Sequence, residues 1–523
     1  MDQPTIKGLF KEFEHVRDTV DKYYAVRVGR TPGVYNSWGD AKTQTENFCG
    51  STFKSFTTRT EAEAYISDYS PPPIEKEELG LNREQQAAFD AVVAGESVFI
   101  TGPGGTGKSY LLQSLYAKYK SYTGKTMCVT AMTGCAALLL GPWAKTLHSW
   151  AGIGIGRVPA AAIANTISKD SRKKKRWRST DCIVIDEVSM LIPDLLEYLD
   201  EVGRLVRKEP DRVFGGLQVV FVGDFYQLPP VIKDGEHSGP RRTFAFESPL
   251  WSQIVSKTIE LTHIIRQKDP VFQQILNEAR VGELSTASYE ALEARKTMSW
   301  KRQEIKPTLL FTKNEDVRSI NEAQIGKLTG EEHVFTAKTT KHPPRMMKDL
   351  LQMITDKLDK DAPYEVELRL KERCQVMLLV NQDPAAGLVN GSRGIVTGFG
   401  VDGNPLVKFL NGPPYPVRVA PAEWSSENEE EAVTREQIPL RLAYALTIHK
   451  AQGASLDSAL VDVGPSTFEY GQAYVALSRV RNMDALYIFE ISQRAFKAHP
   501  LVKAFYKGLL IAKDATDVHD CAL

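Results

Sequence analysis

The segment Gly102-Pro103-Gly104-Gly105-Thr106-Gly107-Lys108-Ser109 constrains the fold of this chain more than any other feature. It fits the pattern G-x-x-x-x-G-K-[ST] and lies between an apolar stretch at 98–100 and a helical stretch at 109–119, which is the context that the motif requires. Backbone N–H groups in such a loop turn toward phosphate oxygens, and the helix N-terminus adds partial positive charge. The sequence therefore predicts a nucleotide-binding α/β fold, in which Lys108 reaches the β- and γ-phosphates of ATP and Ser109 ligates Mg²⁺.

A second group of polar residues follows the apolar strand predicted at 183–185. Adjacent carboxylates at the carboxyl end of a strand can divide the work: Asp186 holds Mg²⁺ through water, and Glu187 activates the attacking water as general base. After the next predicted strand, at 217–222, Gln227 can orient that water or sense the γ-phosphate. A helix N-cap would explain one acid, and a turn would explain the glutamine segment. Together with the glycine loop, however, the set predicts an ATPase.

Composition limits the classes of partner and compartment. Lys plus Arg and Asp plus Glu both number 65, so the net charge is zero and any nucleic acid must be met by local patches. The six cysteines have no C-x-x-C spacing, which argues against a zinc ribbon or disulfide framework and favours a reducing compartment. The uncharged stretch at 126–144 is broken by glycine and proline, which favours a buried strand and helix over a membrane span. With no signal or transit peptide pattern visible, we expect an intracellular protein with no membrane partner.

Changes in pattern along the chain predict several domains. A proline triplet followed by charged residues is typical of a linker. Apolar strands that alternate with helices predict parallel sheets covered on both faces, and short strands between glycine turns predict a small inserted β-barrel. The predicted division is an N-terminal α+β module at 1–70, a linker at 71–80, a first α/β domain at 81–250, a second α/β domain at 251–374 and 438–523, and the inserted barrel at 375–437.

The order of the motifs resembles that of the Pif-type DNA helicases, from the RecD-like branch of superfamily one. The matching segments are GPGGTGKS (102–109), TAMTGCAA (130–137), IDEVSM (185–190), GDFYQLPP (223–230), RQ (266–267), LTIHKAQG (446–453) and YVALSRV (474–480). The resemblance implies two RecA-like P-loop domains that close over ATP and Mg²⁺, an inserted SH3-like barrel, and 5′-to-3′ movement along single-stranded DNA. One departure is Met132, where the family usually has a proline.

The resemblance also implies roles for single residues. Gln85 matches the adenine-reading glutamine, although its neighbour Gln86 leaves open that it is an ordinary helix-surface residue. Arg266 and Arg479 match the two arginines that reach the γ-phosphate from the second domain, where they offset charge on the transferring phosphoryl group. Hydroxyls, amides and cations of the DNA-lining segments can hold phosphates without base preference. These residues are Thr133, His148, Thr447, His449, Lys450 and Gln452.

A run of cations at 172–178 directly precedes the strand that carries Asp186. It is read equally well as a DNA contact and as a solvated loop. Locally it also has the composition of a nuclear-import signal, which is a lesser possibility.

Residues 23–69 resemble the N-terminal hybrid-binding module of eukaryotic ribonuclease HI. The resemblance rests on two aromatic strands around a glycine turn, then Trp38, a strand at 53–56 and a helix at 61–66. Basic residues with interleaved aromatics suit a surface that packs on sugars and contacts phosphates, so Trp38 and Lys54 are candidates for binding an RNA–DNA hybrid. The alternative is that the aromatics form only a small core.

Taken together, the motifs and the resemblance predict an ATP-dependent 5′-to-3′ DNA helicase that acts on single-stranded DNA and at duplex junctions. The N-terminal module would direct it to RNA–DNA hybrids. We expect a monomer in the absence of DNA, located in the nucleus, the mitochondria or both. The alternative is a remodelling protein in which ATP only gates affinity for hybrids, without processive unwinding.

Overall fold

The structure is a computed structural model. It describes residues 22–28, 31, 33–45, 52–67, 80–141, 143–153, 158–230, 242–299, 305–342, 344, 346–383, 386–425 and 433–509. The chain divides into two compact units, Met1–Leu79 and Gly80–Leu523. Except for Gly80, the predicted linker at 71–80 lies outside the described residues.

The first unit is a small α+β module. Its elements are β1 (Tyr23–Val28), β2 (Gly33–Tyr35), α1 (Trp38–Thr45), β3 (Thr52–Phe56) and α2 (Arg59–Ser67). The strands form an antiparallel sheet in the order β2-β1-β3. The fully buried apolar residues of the described part are small: Ala25, Val26, Ala41 and Ala62. The aromatic side chains of the module are therefore not what fills its centre.

A parallel sheet dominates the first part of the second unit. Its strands are β4 (Val98–Thr101), β5 (Met127–Ala131), β6 (Lys145–Thr146), β7 (Cys182–Asp186), β8 (Gln218–Val222) and β9 (Lys257–Glu260). They lie in the order β6-β5-β7-β8-β4-β9 and every ladder is parallel. The central strands β4 and β7 are buried along their whole length, as expected for a sheet covered on both faces. The predicted strands here are confirmed.

Helices connect these strands. They are α3 (Arg83–Val93), α4 (Lys108–Thr123), α5 (Gly134–Leu140), α6 (Leu147–Ala151), α7 (Ala160–Lys169), α8 (Ser171–Ser179), α9 (Pro193–Arg207) and α10 (Trp251–Ile254). The core beside the sheet is rich in aromatic rings, with Phe99, Trp177 and Phe221 fully buried. Residues 500–509, near the end of the chain, are helical and return Val502 and Tyr506 to this same core.

A second parallel sheet has the order β21-β10-β22-β23, with strands β10 (Thr308–Phe311), β21 (Ala445–Thr447), β22 (Ala459–Val463) and β23 (Leu486–Ile491). Its helices are α11 (Pro270–Val281), α12 (Thr286–Glu293), α13 (Asn314–Gly326), α15 (Ile448–Ala451) and α16 (Gln472–Leu477). Each parallel sheet has its own hydrophobic core. The two parallel sheets with their helices match the predicted α/β fold class.

Between β10 and β21 the chain forms antiparallel sheets. The elements are β11 (His333–Thr336), β12 (Lys338–Lys341), α14 (Lys348–Asp361), β13 (Glu367–Leu370), β14 (Gln375–Leu378), β15 (Arg393–Phe399), β16 (Pro405–Phe409), β17 (Val417–Arg418), β18 (Ala422–Ser425), β19 (Thr434–Gln437) and β20 (Leu440–Leu442). The sheets have the orders β11-β13, β12-β19-β18 and β17-β16-β15-β14-β20. Among the described residues the five-stranded sheet ends at β17 and β20, and its closure into a barrel stays a prediction.

The predicted start of this insertion, at 375, is too late. Strand β12 pairs with β19, so the antiparallel region already includes residues that the sequence analysis assigned to the second α/β domain. The reason is that β12 reads Lys-Thr-Thr-Lys, and its residues are mostly exposed. It therefore has no apolar alternation that would identify a strand.

The cationic run at 172–178 is also not a loop, because it lies within helix α8. The side chain of Asp170 caps this helix by accepting the backbone N–H groups of Arg172 and Lys173. In the part of the chain that the structure describes, no helix combines the length and the apolar character needed to cross a membrane.

Candidate nucleotide site and nucleic-acid surfaces

The glycine loop lies at the carboxyl end of β4, and α4 begins at Lys108. Gly105 and Gly107 have φ angles of +92° and +84°, a region that side chains other than glycine rarely adopt. A Cβ atom at Gly105 would lie 2.7 Å from Gln267 Oε1, and one at Gly107 would lie 2.5 Å from Gln85 Nε2. The glycines thus serve two purposes, since they turn the loop and allow two glutamines to pack against it.

The ammonium of Lys108 is held across the loop by the carbonyl oxygens of Gly102 and Pro103, at 2.7 and 2.9 Å. Burial lowers the pKa of Lys108, while the nearby carboxylates of Asp224 and Glu187 act in the opposite direction. The Lys108 ammonium therefore lies between the phosphate-binding loop and a group of carboxylates that includes Asp224, Glu187 and Asp186.

Asp186 and Glu187 are two of these carboxylates. Asp186 is the buried last residue of β7, and burial together with the adjacent Glu187 raises the pKa of its carboxyl group. Glu187 has a left-handed φ of +55°, a strained conformation of the kind that collects at functional sites.

The residues present fit a magnesium ion. Ser109 is exposed at the start of α4, and Asp186 ends the strand that pairs with β8 and β5. Mg²⁺ is typically bound by one or two protein carboxylates plus phosphate oxygens and water. Within the described ranges no cluster of three or more His, Cys, Asp or Glu residues is placed to hold a metal, so a site shared with phosphate suits this donor set.

Gln452, one of the predicted DNA residues, contacts the predicted general base. Its Nε2 donates to Glu187 Oε2 at 3.1 Å, and the residue is only 7% exposed. Its Oε1 is buried with no hydrogen-bond partner among the described residues. The short helix α15 ends one residue earlier, so the chain turns Gln452 back toward the acid. Gln452 therefore links its segment to Glu187, and its contact with DNA stays a prediction.

The two predicted arginines reach the site from different parts of the fold. Arg266 follows β9 of the first sheet, and Arg479 follows α16, a helix of the second. Backbone N–H groups of Ile265 and Arg266 donate to Gly105 O at 2.9 and 3.1 Å, which ties Arg266 to the glycine loop. Burial lowers the pKa of Arg266. The neighbouring Gln267 is fully buried and donates to Val480 O at 3.0 Å.

Arg479 is 2% exposed. Its Nε donates to Val475 O at 2.7 Å, and its Nη2 donates to Ser478 Oγ at 2.6 Å. Burial, reinforced by the like charge of Arg266, lowers the pKa of Arg479 to about 10. The structure therefore brings both arginines near the loop, with Arg479 packed against its own helix, α16.

A network of buried hydrogen bonds, which no motif predicted, joins the two sheets. Asp224 accepts two hydrogen bonds from Arg280, at 2.9 and 3.0 Å. Tyr474 Oη lies 3.4 Å from Asp224 Oδ2 and accepts the backbone N–H of Gly104 at 2.7 Å. Tyr506 Oη lies 2.6 Å from the hydroxyl of Thr101, at the end of β4. Arg280 and Tyr506 fall in no recognised motif, so no sequence signal marked them.

Gln227, the predicted sensor, is buried in the turn after β8. Gly471, just before α16, approaches it so closely that a Cβ there would lie 2.7 Å from Gln227 O. The turn after β8 therefore packs on the helix that carries Tyr474 and ends just before Arg479.

Gln85 and Gln86 lie in different environments. Gln85 is 1% exposed, donates to Thr106 O at 3.2 Å and accepts the backbone N–H of Asn82 at 3.1 Å. Gln86 instead donates to Asp90 on the helix surface. Only Gln85 reaches the phosphate loop, and its contact with adenine stays a prediction.

The remaining predicted DNA residues lie at the carboxyl ends of strands or shortly beyond them. Thr133 and Thr447 are N-caps, whose hydroxyls accept backbone N–H groups of α5 and α15. His148 and His449 are half-buried, and burial lowers the pKa of His449. Lys450 is exposed. Their contacts with DNA stay predictions.

In the N-terminal module, aromatic rings gather on the surface. Trp38 is 41% exposed, with its ring 5.6 Å from that of Tyr24 and 4.8 Å from that of Phe53. Lys54 Nζ lies 5.5 Å from the ring of Phe56. The alternative that these aromatics form the core is therefore wrong for Trp38 and Phe53, which are exposed, whereas the fully buried apolar residues of the described part are alanines and a valine.

The glycine loop, the paired carboxylates and the arginines beside a second parallel sheet define a P-loop protein with two RecA-like units. The Candida albicans Pif1 helicase has the same fold, with a TM-score of 0.68 and 34% identity over 82% of this chain and 99% of that chain. Residues 80–287 match the PIF1-like helicase family. The chain belongs to that family.

Other similarities extend over the chain. The human ATP-dependent DNA helicase PIF1 is 38% identical over 432 residues, which cover 82% of this chain and 64% of the human protein. This chain therefore spans less than two thirds of that relative. A Bacteroides Pif1 helicase in complex with ADP-AlF3 and single-stranded DNA matches with a TM-score of 0.56 and 28% identity, over 83% of this chain and 97% of that one.

Two shorter segments match separate families. Residues 22–66 match the ribonuclease H1 N-terminal domain, as the aromatic strands indicated. Residues 355–399 match the 2B domain of the DNA helicase Pif1, which lies inside the antiparallel insertion.

Proposed function

We propose that this chain is an ATP-dependent DNA helicase that moves 5′-to-3′ along single-stranded DNA and unwinds DNA or RNA–DNA duplexes. The observation that carries the proposal is the hydrogen bond from Gln452 to Glu187. It joins segment 446–453, which resembles a DNA-lining segment, directly to the acid suited to activate water. The similarity to a Bacteroides helicase bound to a nucleotide analogue and single-stranded DNA supports it.

In hydrolysis, Glu187 accepts a proton from the attacking water. Lys108, Arg266 and Arg479 offset the negative charge on the phosphoryl oxygens. Because Tyr474 and Arg479 lie in or just after α16 of the second sheet, while the glycine loop ends a strand of the first, hydrolysis depends on how the two sheets approach each other.

Ser109 and Asp186 would hold Mg²⁺ together with the phosphates, and Gln85 would bind the adenine beside the loop. When bound, the metal would offset the negative charge of the phosphate oxygens. It would also favour the charged form of the Asp186 carboxylate despite its burial.

The DNA strand would contact Thr133, His148, Thr447, His449 and Lys450. These positions follow strands of the two parallel sheets, so a strand running across both carboxyl edges would meet all of them. The antiparallel insertion would close as an SH3-like barrel beside it. Such a motor acts on the DNA of the nucleus or the mitochondria.

The N-terminal module would target the motor to RNA–DNA hybrids through Trp38 and Lys54. The exposed aromatic cluster and the match to the ribonuclease H1 N-terminal domain support this role. Binding alone is sufficient for this targeting role.

The test is strand separation by the full chain on duplexes with a 5′ overhang, DNA–DNA compared with RNA–DNA, with ATPase measured with and without single-stranded DNA. We expect ATP-dependent separation of both and stimulated ATPase, both abolished in Lys108→Ala. Polarity is checked with a 3′ overhang, which should not be unwound. ATP-dependent changes in hybrid affinity without any strand separation would instead identify a remodelling protein.

A further inference from the structure

Helix α8 has one face that is anchored in the protein. Trp177 is fully buried, and its indole Nε1 donates to Ala151 O at 2.9 Å. Arg176 Nη1 donates to the carbonyl oxygens of Ser149 and Trp150, at 2.8 and 2.9 Å. These bonds satisfy carbonyl groups at the end of α6, so part of the cationic run has a structural role.

Other residues of α8 and the end of α7 line a groove of about 520 Å³. Positions three and four apart share a helix face, which places Ser171, Lys174, Lys175 and Arg178 side by side. The residues that line the groove are Ser168, Lys169, Ser171, Lys174, Lys175, Arg178 and Ser179. We call this surface the α8 groove.

The charge of this segment is unusual for the chain. Residues 168–179 contain seven Lys and Arg residues and one acidic residue, Asp170, in a protein whose net charge is zero. Asp170 is engaged at the helix N-terminus, where it accepts two backbone N–H groups. Clustered cations and hydroxyls are the groups that bind phosphate oxygens without reading base sequence.

We propose that the α8 groove binds the phosphate backbone of double-stranded DNA, as a nucleic-acid site of the helicase proposed above that is separate from its single-strand residues and its N-terminal module. Surfaces for single strands combine cations with aromatic side chains on which bases stack. None of the groove-lining residues is aromatic, and the one aromatic residue of α8, Trp177, is buried. A groove of cations and hydroxyls alone suits a duplex, whose bases are already stacked and whose phosphates face outward.

The same anchoring argues against nuclear import. A receptor that binds the run as an extended peptide would have to unwind α8. Unwinding would expose Trp177 and remove the donors that α8 supplies to the carbonyl groups of Trp150 and Ala151, which costs stability for each unsatisfied group.

The test is Lys169→Gln, Lys174→Gln and Lys175→Gln combined in the full chain, with a salt titration of binding to a blunt DNA duplex and to an oligo-dT single strand. Each phosphate contact contributes about 0.9 to the slope of log K against log salt on duplex DNA. We therefore expect the duplex slope to fall by roughly 2–3, with the oligo-dT slope and the DNA-stimulated ATPase unchanged.

The matched control is Lys120→Gln, Lys125→Gln and Lys296→Gln, which removes the same charge from exposed positions outside the groove. It should leave the duplex slope at the wild-type value. Equal slopes for the two triple variants overturn the proposal. An equal loss on oligo-dT and on the duplex overturns it as well, because the groove would then belong to the single-strand track.

Two further outcomes separate this proposal from others. If the wild type has no DNA-stimulated ATPase but the groove variant still loses duplex binding, the helicase proposal fails while the groove assignment survives as duplex binding alone. If the groove variant binds duplex DNA normally but no longer accumulates in the nucleus, the run is an import signal and the groove assignment is wrong.

Discussion

The nucleotide site and the N-terminal aromatic face hold their side chains by different means. Around Lys108 the polar groups are buried and bonded to one another, so that Asp224, Arg280 and Tyr474 form one network that ends on the glycine loop. Around Trp38 the rings of Trp38 and Phe53 are exposed on a small sheet, and the fully buried apolar residues among those described are alanines and a valine. A substitution in the buried network of the first region therefore disturbs folding and function together, whereas one on the aromatic face can remove binding and leave the fold intact.

The largest expected effect is on turnover at Glu187. Glu187→Gln keeps the size of the side chain but removes the base, and general bases contribute about 10²–10⁴-fold to rate. We expect kcat for ATP to fall by about that factor while nucleotide affinity stays near the wild-type value. Steady-state ATPase combined with a nucleotide-binding titration measures both.

Lys108→Ala is the comparison for this variant, since it should lose nucleotide affinity as well as turnover. Near-normal turnover in Glu187→Gln would contradict its assignment as general base.

The next largest effect is expected on the free energy of unfolding, through the buried pair of Asp224 and Arg280. Asp224→Ala removes the carboxylate that accepts two hydrogen bonds from the buried Arg280 and leaves it, among the described residues, only Glu260, at 3.8 Å. Breaking one partner of a buried pair costs about 3–5 kcal/mol. The free energy of unfolding from urea titration should fall by that amount. The double variant Asp224→Ala with Arg280→Met should recover much of the loss, because no unpaired charge remains. A double variant as unstable as the single one would mean that the charge pair is not the cause.

A smaller effect is expected at Gln452. Hydrogen bonds to charged groups contribute about 1.5–3 kcal/mol, so Gln452→Ala should lower kcat by roughly one to two orders of magnitude. The KM for ATP and the affinity for single-stranded DNA should be unchanged.

Lys450→Ala, two residues away, should have the opposite effects on DNA binding and on kcat. It should weaken DNA binding while kcat at saturating DNA stays near wild type. If Gln452→Ala weakens DNA binding instead of kcat, the DNA assignment made from the sequence is right and the contact with Glu187 has no role in turnover.

The smallest effect is expected in the N-terminal module. Trp38→Ala with Lys54→Ala should weaken binding to an RNA–DNA hybrid by about 1–3 kcal/mol, the value of an aromatic contact with a nucleotide. The salt dependence of hybrid binding should become shallower through the loss of Lys54. DNA-stimulated ATPase and the thermal unfolding midpoint should not change. Tyr415→Ala, which removes an exposed ring from the insertion, is the control and should bind hybrids normally. A double variant that unfolds at lower temperature would show that Trp38 supports the module's core after all.

Much of the nucleotide site was predictable because its signals are local. The apolar strands, the glycines of 102–109 and the position of Asp186 at a strand end are patterns of neighbouring residues, and the structure confirms the elements that they predicted. The same holds for the short strands and helix of the N-terminal module. By contrast, β12 escaped prediction because a short, exposed strand has no apolar alternation.

The sequence by itself determined the elements, the P-loop and the family resemblance, because periodicity, glycine placement and motif order lie within short stretches of chain. Only the tertiary structure decided that Gln452 faces Glu187, across 265 positions of sequence, and that Arg280 pairs with Asp224 across 56. It also decided that the cationic run is a helix with Trp177 buried beneath it. Residues so far apart in the sequence become partners because packed elements exclude water and must satisfy each other's buried polar groups. A pattern of neighbouring residues carries no information about such contacts.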